Sequence, residues 1–237
     1  MAGREKFLKK AIQCFFDQDY AGNAELIILP DGPCQVTHPN GHLARDGSLI
    51  TVLTHTGAHA NVGEKRNAGC KAAQGEIIVH FDDDDWSAPG RISDQVKQLQ
   101  ESGKPVTGYS TILVRETRTV LRLDETLAEH ATSGWWRLTI PGGEAAGTSF
   151  CYRRDWWEAH PFPPVNTCED NAFWREAAGL DAAIAVDGRD LVCATNHVGN
   201  ISARMVCGPA WTELPGSPYP VFKFSSRSRR VKGNSGA

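Results

Sequence analysis

The segment from Gly75 to Arg91, GEIIVHFDDDDWSAPGR, constrains the fold more than any other part of the chain. Glu76 to Phe81 is a short apolar, β-branched run after a glycine, which is typical of a buried strand. The run stops at four consecutive carboxylates, Asp82 to Asp85. In an α/β sheet, ligands bind beyond the carboxyl ends of the strands. The segment therefore predicts a strand that delivers an acidic cluster to a ligand-binding edge.

Four adjacent carboxylates repel one another, so an ordered cluster of this kind calls for a cation. Oxygen ligands suit Mg²⁺ or Mn²⁺, which commonly share their coordination shell with substrate phosphates. The alternative is a solvated acidic turn that precedes a helix beginning near Pro89. The apolar strand before the cluster and the loop with Trp86 after it favour a metal site.

With 237 residues, the chain is long enough to bury a substantial core in one domain. No apolar run approaches the ~18–20 residues that a membrane span needs, and we find no signal-peptide pattern. The cysteines are odd in number, widely spaced and without a C-x-x-C pair: Cys14, Cys34, Cys70, Cys151, Cys168, Cys193 and Cys207. This usage predicts reduced, mostly buried thiols in a cytoplasmic protein, and it argues against a disulfide framework or a zinc knuckle.

Charge is distributed unevenly along the chain. Residues 215–237 contain five cations and no acid, whereas the formal net charge of the whole chain is −3, so the remaining body carries −8. A basic tail rich in serine, arginine and glycine is usually a flexible, solubilising end. Contact with a nucleic acid or another anionic partner is the alternative.

Strand and helix patterns alternate through the first hundred residues. A helical stripe over residues 5–18 is followed by buried strands at Glu25–Leu29 and Leu49–Leu53, then by a helix at Gly63–Gln74. The alternation predicts an α/β fold with a mostly parallel sheet flanked by helices. The later patterns predict two β-rich runs within Val106–Leu123, as a hairpin or as edge strands. They also predict a strand at Gly147–Tyr152, helices at Arg154–His160 and Glu169–Ala178, and strands at Ala182–Val186 and Leu191–Ala194.

Four stretches in this order resemble the family-2 glycosyltransferases, which have the Rossmann-like GT-A fold. They are FLKKAIQCFFDQDYAGNAELIILPDG, GEKRNAGCKAAQGEIIVHFDDDDWSAPGRI, GTSFCYRRDWWEAHPFPPVNTCEDNAFW and NHVGNIS. The resemblance implies one GT-A domain over residues 1–214. Its nucleotide-sugar-binding half is 1–102, its acceptor-binding half with a smaller β region is 103–214, and the basic tail is 215–237.

The resemblance also implies an activity: metal-dependent, inverting transfer of a sugar from a nucleotide sugar, here a UDP-sugar, to an acceptor hydroxyl. Asp31 matches the family's strand-end aspartate, which contacts uracil, and a carboxylate can accept the imino N–H of that base. Arg66 and Asn67 match the basic helix start that lies near the base and the phosphates. The plainer interpretations are a Pro-Asp-Gly turn at Asp31 and a solvated helix face at the other two positions.

The acidic cluster aligns with the DXD motif of the family. By that resemblance Asp84 is the principal ligand of Mn²⁺ or Mg²⁺. Asp82 and Asp83 would lie toward the ribose and metal-bound water, and Asp82 is also a candidate metal ligand. His197, in the loop HVGN, is a candidate to complete the metal shell. The reaction needs a metal ion because the diphosphate leaving group gains negative charge, which the ion neutralises. A lone histidine is also common as an ordinary surface or core residue.

Glu169 and Asp170 match the family's acidic ED motif at the start of a helix. An acceptor hydroxyl must lose a proton as it attacks the anomeric carbon, and a carboxylate within hydrogen-bond reach can take that proton. The resemblance therefore implies that Asp170 is the general base, with Glu169 beside it. Acids in the first turn of a helix also complement its dipole without any catalysis, and that alternative stays open.

Trp135 and Trp136 are candidate acceptor contacts, because indole faces stack on the apolar faces of sugars or on bases. Simple core filling is the alternative for both. The default acceptor is a glycan of a bacterial surface. A phage-type enzyme that acts on a hydroxylated DNA base is a second hypothesis, and the basic tail is compatible with it.

One departure from the family pattern concerns the start of the chain. Family members usually begin with a strand that lines the nucleotide pocket, and here the first helix begins almost at residue 1. The pattern predicts that this first strand is absent and that donor affinity suffers unless another segment fills the gap. A degenerate nucleotide- or glycan-binding module without turnover is therefore a third hypothesis.

Overall fold

The computed structural model of the chain describes residues 5–30, 44–45, 48–53, 61–117, 134–188, 190–200, 206 and 208–218. The basic part of the predicted tail, from residue 219 onward, lies outside the described residues. The helices are α1 (Glu5–Phe16), α2 (Val62–Ala72), α3 (Arg91–Ser102), α4 (Arg154–Ala159) and α5 (Glu169–Gly179). The strands are β1 (Glu25–Ile28), β2 (Ala44–Arg45), β3 (Ser48–Val52), β4 (Ile77–Val79), β5 (Trp86–Ser87), β6 (Val106–Glu116), β7 (Gly134–Thr139), β8 (Cys151–Arg153), β9 (Ala183–Asp187), β10 (Val192–Asn196) and β11 (Trp211–Leu214).

The described strands form two sheets, and β6 is the centre of the larger one. β1, β3 and β2 form the smaller sheet, in that order. In the larger sheet β6 pairs with β7, β8, β9 and β10, while β11, β5 and β4 extend it through β7, β10 and β8. The predicted α/β class is therefore correct.

The prediction of a mostly parallel sheet is wrong, because the sheets are mixed. Among the described strand pairs, only β1–β3, β6–β9 and β6–β10 are parallel. β8 lies between β4 and β6 and runs antiparallel to both of them. The strand that leads to the acidic cluster is therefore connected to the central strand through an antiparallel strand. Alternation of strands and helices along a sequence does not reveal a strand that returns in this way, since pairing depends on distant residues.

Two of the predicted β regions are also organised differently. Val106–Glu116 is one long strand, which pairs antiparallel with β7 and, at its start, with β8. Residues 118–133, which include the end of the predicted Val106–Leu123 region, lie outside the described residues. Almost every side chain of β6 is buried, so no alternation of polar and apolar residues marks its two faces. The predicted strand Gly147–Tyr152 begins instead as a short 3₁₀ turn, Gly147–Ser149, before β8.

Three apolar clusters hold the helices on the sheets. The predicted stripe of α1 packs Ile12, Phe15 and Phe16 against Ile28 of β1. α5 contributes Phe173, Trp174 and Ala177 to a second cluster with the aromatic side chains around β8. The third cluster covers one face of β6, β7 and β10. These contacts fix the start of α5 and the end of β4 relative to one another, which positions the site described below.

The described cysteines agree with the predicted usage. Five of them are free, four of these are buried, and Cys168 is exposed; Cys34 and Cys207 lie outside the described residues. Among the described helices, none is long and apolar enough to cross a bilayer.

Candidate active site

The acidic cluster, the loop after β10 and the first turn of α5 meet at one edge of the larger sheet. The acidic cluster follows β4 after two residues, and β10 ends one residue before His197. β10 runs parallel to β6, with Asn196 opposite Glu116 at the ends of the two strands. The parallel direction brings the carboxyl ends of these strands to a common edge. Helix α5 begins with Glu169 and Asp170.

Asp84 and His197 form a buried pair at this edge. The Nε2 atom of His197 lies 2.9 Å from Oδ2 of Asp84, and Asn200 donates to the same oxygen at 3.2 Å. The backbone N–H of Gly199 donates to Nδ1 of His197 at 3.0 Å, so Nδ1 is an acceptor and Nε2 carries the proton. The ring of Phe7 in α1 stacks on the imidazole at 5.0 Å between centroids. Two of the three predicted metal ligands, Asp84 and His197, are therefore adjacent and held in place.

The geometry of this pair suits a divalent cation. Neighbouring ligands of an octahedral ion with bonds of about 2.1 Å lie about 3 Å apart, which matches the 2.9 Å between the two side-chain atoms. For His197 to ligate a metal through Nε2, its proton would have to move to Nδ1, because a ligating imidazole is neutral with a free lone pair, and the hydrogen bond from Gly199 would be lost. Within the described ranges, no group of three or more His, Cys, Asp or Glu side chains could hold a metal. The remaining ligand positions would thus fall to phosphate oxygens and water, as is usual for Mg²⁺.

The other carboxylates of the cluster have different surroundings. Asp85 is buried, and it accepts hydrogen bonds from Oγ1 of Thr148 at 2.6 Å and from the backbone N–H of Thr195 at 2.8 Å. It therefore ties the acidic turn to β10 and to the 3₁₀ turn, a role that the sequence does not reveal. Asp83 is partly buried in the same turn. Asp82 faces Arg66, with 4.0 Å between its Oδ1 and the guanidinium Nη1.

Arg66 of α2 joins the acidic cluster to the start of α5. Its Nε donates to Oε1 of Glu169 at 3.1 Å, and its Nη1 lies 2.9 Å from Nδ1 of His80. Burial lowers the pKa of the Arg66 guanidinium, but the negative charges of Asp82, Glu169 and Asp170 outweigh burial and leave that pKa raised. Arg66 is thus a permanent cation between the two acidic motifs, and Glu169 is its ion-pair partner.

His80 is a member of the site that the sequence analysis missed. Its Nδ1 lies 2.9 Å from Nη1 of Arg66 and 3.2 Å from the carbonyl oxygen of Gly147, and its Nε2 lies 2.9 Å from the hydroxyl of Tyr152. Tyr152 in turn lies 3.2 Å from the thiol of Cys70. Burial, and after it the charge of Arg66, holds the pKa of His80 well below its ordinary value. The one available signal was a histidine inside the apolar run IIVHF.

Asp170 lies at the start of α5 against the backbone of Gly147. Its Oδ1 accepts the N–H of Asn171 at 2.8 Å. A Cβ atom at Gly147 would overlap the Asp170 carboxylate, so only glycine fits there without displacing it. Cys168, directly before the helix, has a left-handed backbone with φ of 64°. The ED motif therefore occupies a closely packed helix start, where the acids also complement the helix dipole.

Buried side chains hold the Gly147–Ser149 turn in position. Arg91, which is 1% exposed, donates from Nη2 to the carbonyl of Thr148 at 2.8 Å. Gln95, one turn further along α3, donates to the carbonyl of Ser149. With the bond from Thr148 to Asp85, these contacts connect the acidic cluster to the turn that touches Asp170. The separation of the two acidic motifs is thus set by a hydrogen-bonded framework.

We predict that Thr148→Val destabilises the protein by about 1–3 kcal/mol, because the substitution removes a hydroxyl that donates to the buried Asp85 carboxylate. Urea unfolding of Thr148→Val beside wild type measures the loss. Thr148→Ser is the matched control and should retain most of the stability, since it keeps the hydroxyl. Equal stability of the valine and serine variants would contradict the structural role of this hydrogen bond.

The side chain of Asn67 has a structural role in the described part of the chain. Oδ1 of Asn67 accepts from the indole N–H of Trp157 at 2.8 Å and from the backbone of Phe162 at 3.0 Å. Its Nδ2 donates to the carbonyl of Phe162 at 2.8 Å. The Asn67 amide therefore fastens α2 to α4 and to the segment after it, instead of facing the acidic cluster. Asp31 lies outside the described residues.

The tryptophan pair is in β7, so the two rings point to opposite faces of the sheet. Trp136 is partly buried and packs against the cluster that covers β6, β7 and β10, as the core-filling alternative predicts. The guanidinium of Arg115 lies over the ring of Trp135, 5.6 Å from its centroid. Of the pair, Trp135 is the one on the face away from this core.

A separate cavity of about 600 Å³ lies at the opposite end of β4, lined by Ile77, Leu99 and Lys104 among others. Several of its charged residues are in ion pairs, such as Lys104 with Asp181 and Arg153 with Asp155. The acidic motifs are not among its lining residues. The candidate site is therefore the carboxyl edge.

A model of a known protein family matches about two thirds of the chain. The model of the family "Glycosyl transferase family 2" matches residues 2–159, which include α2, the acidic cluster and the 3₁₀ turn. No curated protein matches the chain.

Solved structures share the fold at low sequence identity. Staphylococcus aureus TarS 1–349 in complex with UDP-GlcNAc has a TM-score of 0.59 at 17% identity, covering 83% of this chain and 57% of that one. The mannosyltransferase PcManGT from Pyrobaculum calidifontis, in complex with GDP-Man and Mn²⁺, has a TM-score of 0.55 at 16% identity, covering 85% and 56%. GalNAc-T7 with UDP, GalNAc and Mn²⁺ has a TM-score of 0.50 at 12% identity, covering 74% and 38%. The predicted GT-A fold is confirmed, and the chain spans little more than half the length of the first two proteins.

Proposed function

Since the chain belongs to glycosyl transferase family 2, we propose that it is a metal-dependent, inverting enzyme that moves a sugar from a UDP-sugar to an acceptor hydroxyl. One observation carries the proposal: the Asp84–His197 pair and the Glu169–Asp170 helix start share one sheet edge, with Arg66 between the two motifs. The complexes of the similar structures with UDP-GlcNAc and with GDP-Man and Mn²⁺ support a nucleotide-sugar donor.

On the donor side, Asp84 and His197 would hold a Mn²⁺ or Mg²⁺ ion, which supplies charge neutralisation to the leaving diphosphate. Besides the metal ion, Arg66 supplies a positive charge next to the acidic cluster. The ion pair with Glu169 fixes the orientation of its guanidinium group. Asp82, whose side chain is 36% exposed, is the carboxylate of the cluster left open to the ribose. These residues bind and orient the donor before reaction.

On the acceptor side, Asp170 is the candidate general base. Glu169 is 5% exposed and bonded to Arg66, so it is less suited to accept a proton from a substrate. In the described part of the chain, Oδ2 of Asp170 has no hydrogen-bond partner, and it is this oxygen that faces Gly147. The acceptor oxygen forms its bond to the anomeric carbon while the bond to the diphosphate breaks on the opposite side, and its proton passes to Asp170.

The test of the donor site is thermal unfolding with UDP, with Mn²⁺ and with both. A ligand that binds only the folded state raises stability by about 2.7 kcal/mol at a hundredfold excess over Kd. We expect UDP and Mn²⁺ together to raise the Tm well beyond either alone, and Asp84→Ala to abolish that joint shift. Asp181→Asn, at the far end of the sheet, is the matched control and should keep it.

An unchanged joint shift in Asp84→Ala would contradict the assignment of Asp84 as a metal ligand. If the Tm of the wild-type protein shifts with GDP but not with UDP, the assignment of a uridine nucleotide is wrong, whereas the proposal of a nucleotide-sugar donor stands. Transfer to a hydroxylated DNA base stays a prediction, because the basic part of the tail, which is compatible with it, lies outside the described residues.

A further inference from the structure

Two arginines flank Trp135 on one face of the larger sheet. In the antiparallel register of β6 and β7, Arg115 lies opposite Trp135, and Leu113 lies opposite Arg137. Residues two apart in a strand share a face, so Arg137, Trp135 and Arg115 project to the same side. The two arginines are diagonal neighbours, whose β carbons lie within about 7–8 Å of each other.

Among the residues that the structure describes, these two positive charges have no acidic partner. Arg115 is exposed, and its described contact is the ring of Trp135. Arg137 is partly buried, and its Nε–H is buried without a hydrogen-bond partner. The arginines elsewhere at the site differ: Arg66 bonds to Glu169, and Arg91 donates three hydrogen bonds. Like charges at this distance repel each other, and an anion bound between them would relieve the repulsion.

The patch adjoins the candidate active site. Arg115 lies beside Thr195 of β10 in the parallel register, and the backbone N–H of Thr195 donates to Asp85 at 2.8 Å. His197 follows Thr195 by two residues. Since neighbouring strands lie about 4.8 Å apart, Trp135 is roughly two strand spacings, about 10 Å, from the end of β10 on the β7 side. An acceptor molecule could span that distance.

We propose that Arg115, Trp135 and Arg137 form an acceptor subsite that binds the phosphate group of a phosphorylated sugar or polyol. Guanidinium groups pair with phosphate oxygens through parallel hydrogen bonds, and an indole face packs on the apolar face of a sugar. The body of the chain carries −8, so its overall field repels a long polyanion and favours a single phosphate recognised locally. The inference rests on the proposed function, because it names the class of acceptor for that reaction.

The experiment measures Kd by titration calorimetry for glucose 6-phosphate, with glucose, glucuronate and a short DNA duplex as the comparison ligands, on protein loaded with UDP and Mg²⁺. We expect glucose 6-phosphate to bind at least tenfold more tightly than the other three. Arg115→Gln and Arg137→Gln should each weaken glucose 6-phosphate binding about tenfold. Arg153→Gln removes a cation at the opposite end of the sheet and should leave the Kd unchanged.

Equal Kd values for glucose and glucose 6-phosphate, or an unchanged Kd in both arginine variants, would overturn the subsite. Tighter binding of glucuronate than of glucose 6-phosphate would show that the subsite prefers a carboxylate. Tighter binding of the duplex would show that it prefers a nucleic acid. Either result also overturns the proposed phosphate subsite. Trp135→Phe is a further variant of the subsite, which retains an aromatic ring. The UDP-dependent shift in Tm is recorded on the same samples. If wild type binds glucose 6-phosphate without a UDP shift, the proposed donor function fails while the anion subsite stands.

Discussion

Asp170→Asn should lower kcat by about 10²–10⁴-fold while the affinity for UDP and metal stays within a factor of two to three. Asparagine has nearly the same shape as aspartate, so it keeps the packing of the carboxyl group against Gly147 and can still accept the N–H of Asn171. It cannot take a proton from an acceptor hydroxyl, because a neutral amide oxygen is a very weak base. The fall should therefore appear in kcat and hardly at all in the binding of the donor.

The measurement is release of UDP from a panel of UDP-sugars under saturating acceptor, with the thermal shift by UDP and Mn²⁺ on the same preparations. Asp181→Asn is the control for the chemical change itself, since that carboxylate pairs with Lys104 far from the edge. An unaltered kcat in Asp170→Asn would mean that another group takes the proton. A wild type that binds UDP and Mn²⁺ but turns over no donor would favour a binding module over an enzyme.

Arg66→Met should destabilise the protein by about 3–5 kcal/mol, because it leaves the Glu169 carboxylate buried without its cation. The two side chains are 17% and 6% exposed, so solvent screens their interaction weakly. The same change removes the guanidinium Nη1 atom, which lies 2.9 Å from Nδ1 of His80. Urea unfolding at neutral pH gives the free energy of unfolding for wild type and variant.

The matched variant for this prediction is the double substitution Arg66→Met with Glu169→Gln. Removing the carboxylate charge together with the guanidinium should recover a large part of the lost stability, since no unpaired charge stays buried. A double variant whose loss is simply the sum of the two single losses would show that the residues are not coupled. Retention of the UDP shift in Arg66→Met, if the variant folds, would contradict a donor-binding role for Arg66.

Much of the site was predictable because it depends on local pattern. An apolar run that ends in four acids is the end of a strand whatever its neighbours are, and β4 with the acidic turn confirms it. The acids of the ED motif begin α5 as predicted, and α1 buries the stripe that its spacing indicated. Each of these features follows from residues within about one helix or strand length, which is the range that periodicity covers.

The remaining features depend on contacts between distant parts of the chain. Asp85 looks like its three acidic neighbours in the sequence, yet it bonds to Thr148 and to the backbone of Thr195. Asn67 looks like part of a basic helix start, yet its amide is used by Trp157 and Phe162. The direction of β8 and the opposite faces of the tryptophan pair were likewise hidden, because strand pairing joins residues far apart in sequence.

By itself the amino-acid sequence determined the α/β class, the strand that ends in carboxylates and the acidic helix start, since hydrophobic periodicity and residue type act locally. Only the tertiary structure decided which carboxylate meets His197, which one pairs with Arg66 and which one merely holds a turn. It also decided that His80 supports Arg66 and that Trp136 belongs to the core. The physical reason is that the role of a buried polar group is set by the partner that compensates its desolvation, and that partner comes from another part of the chain.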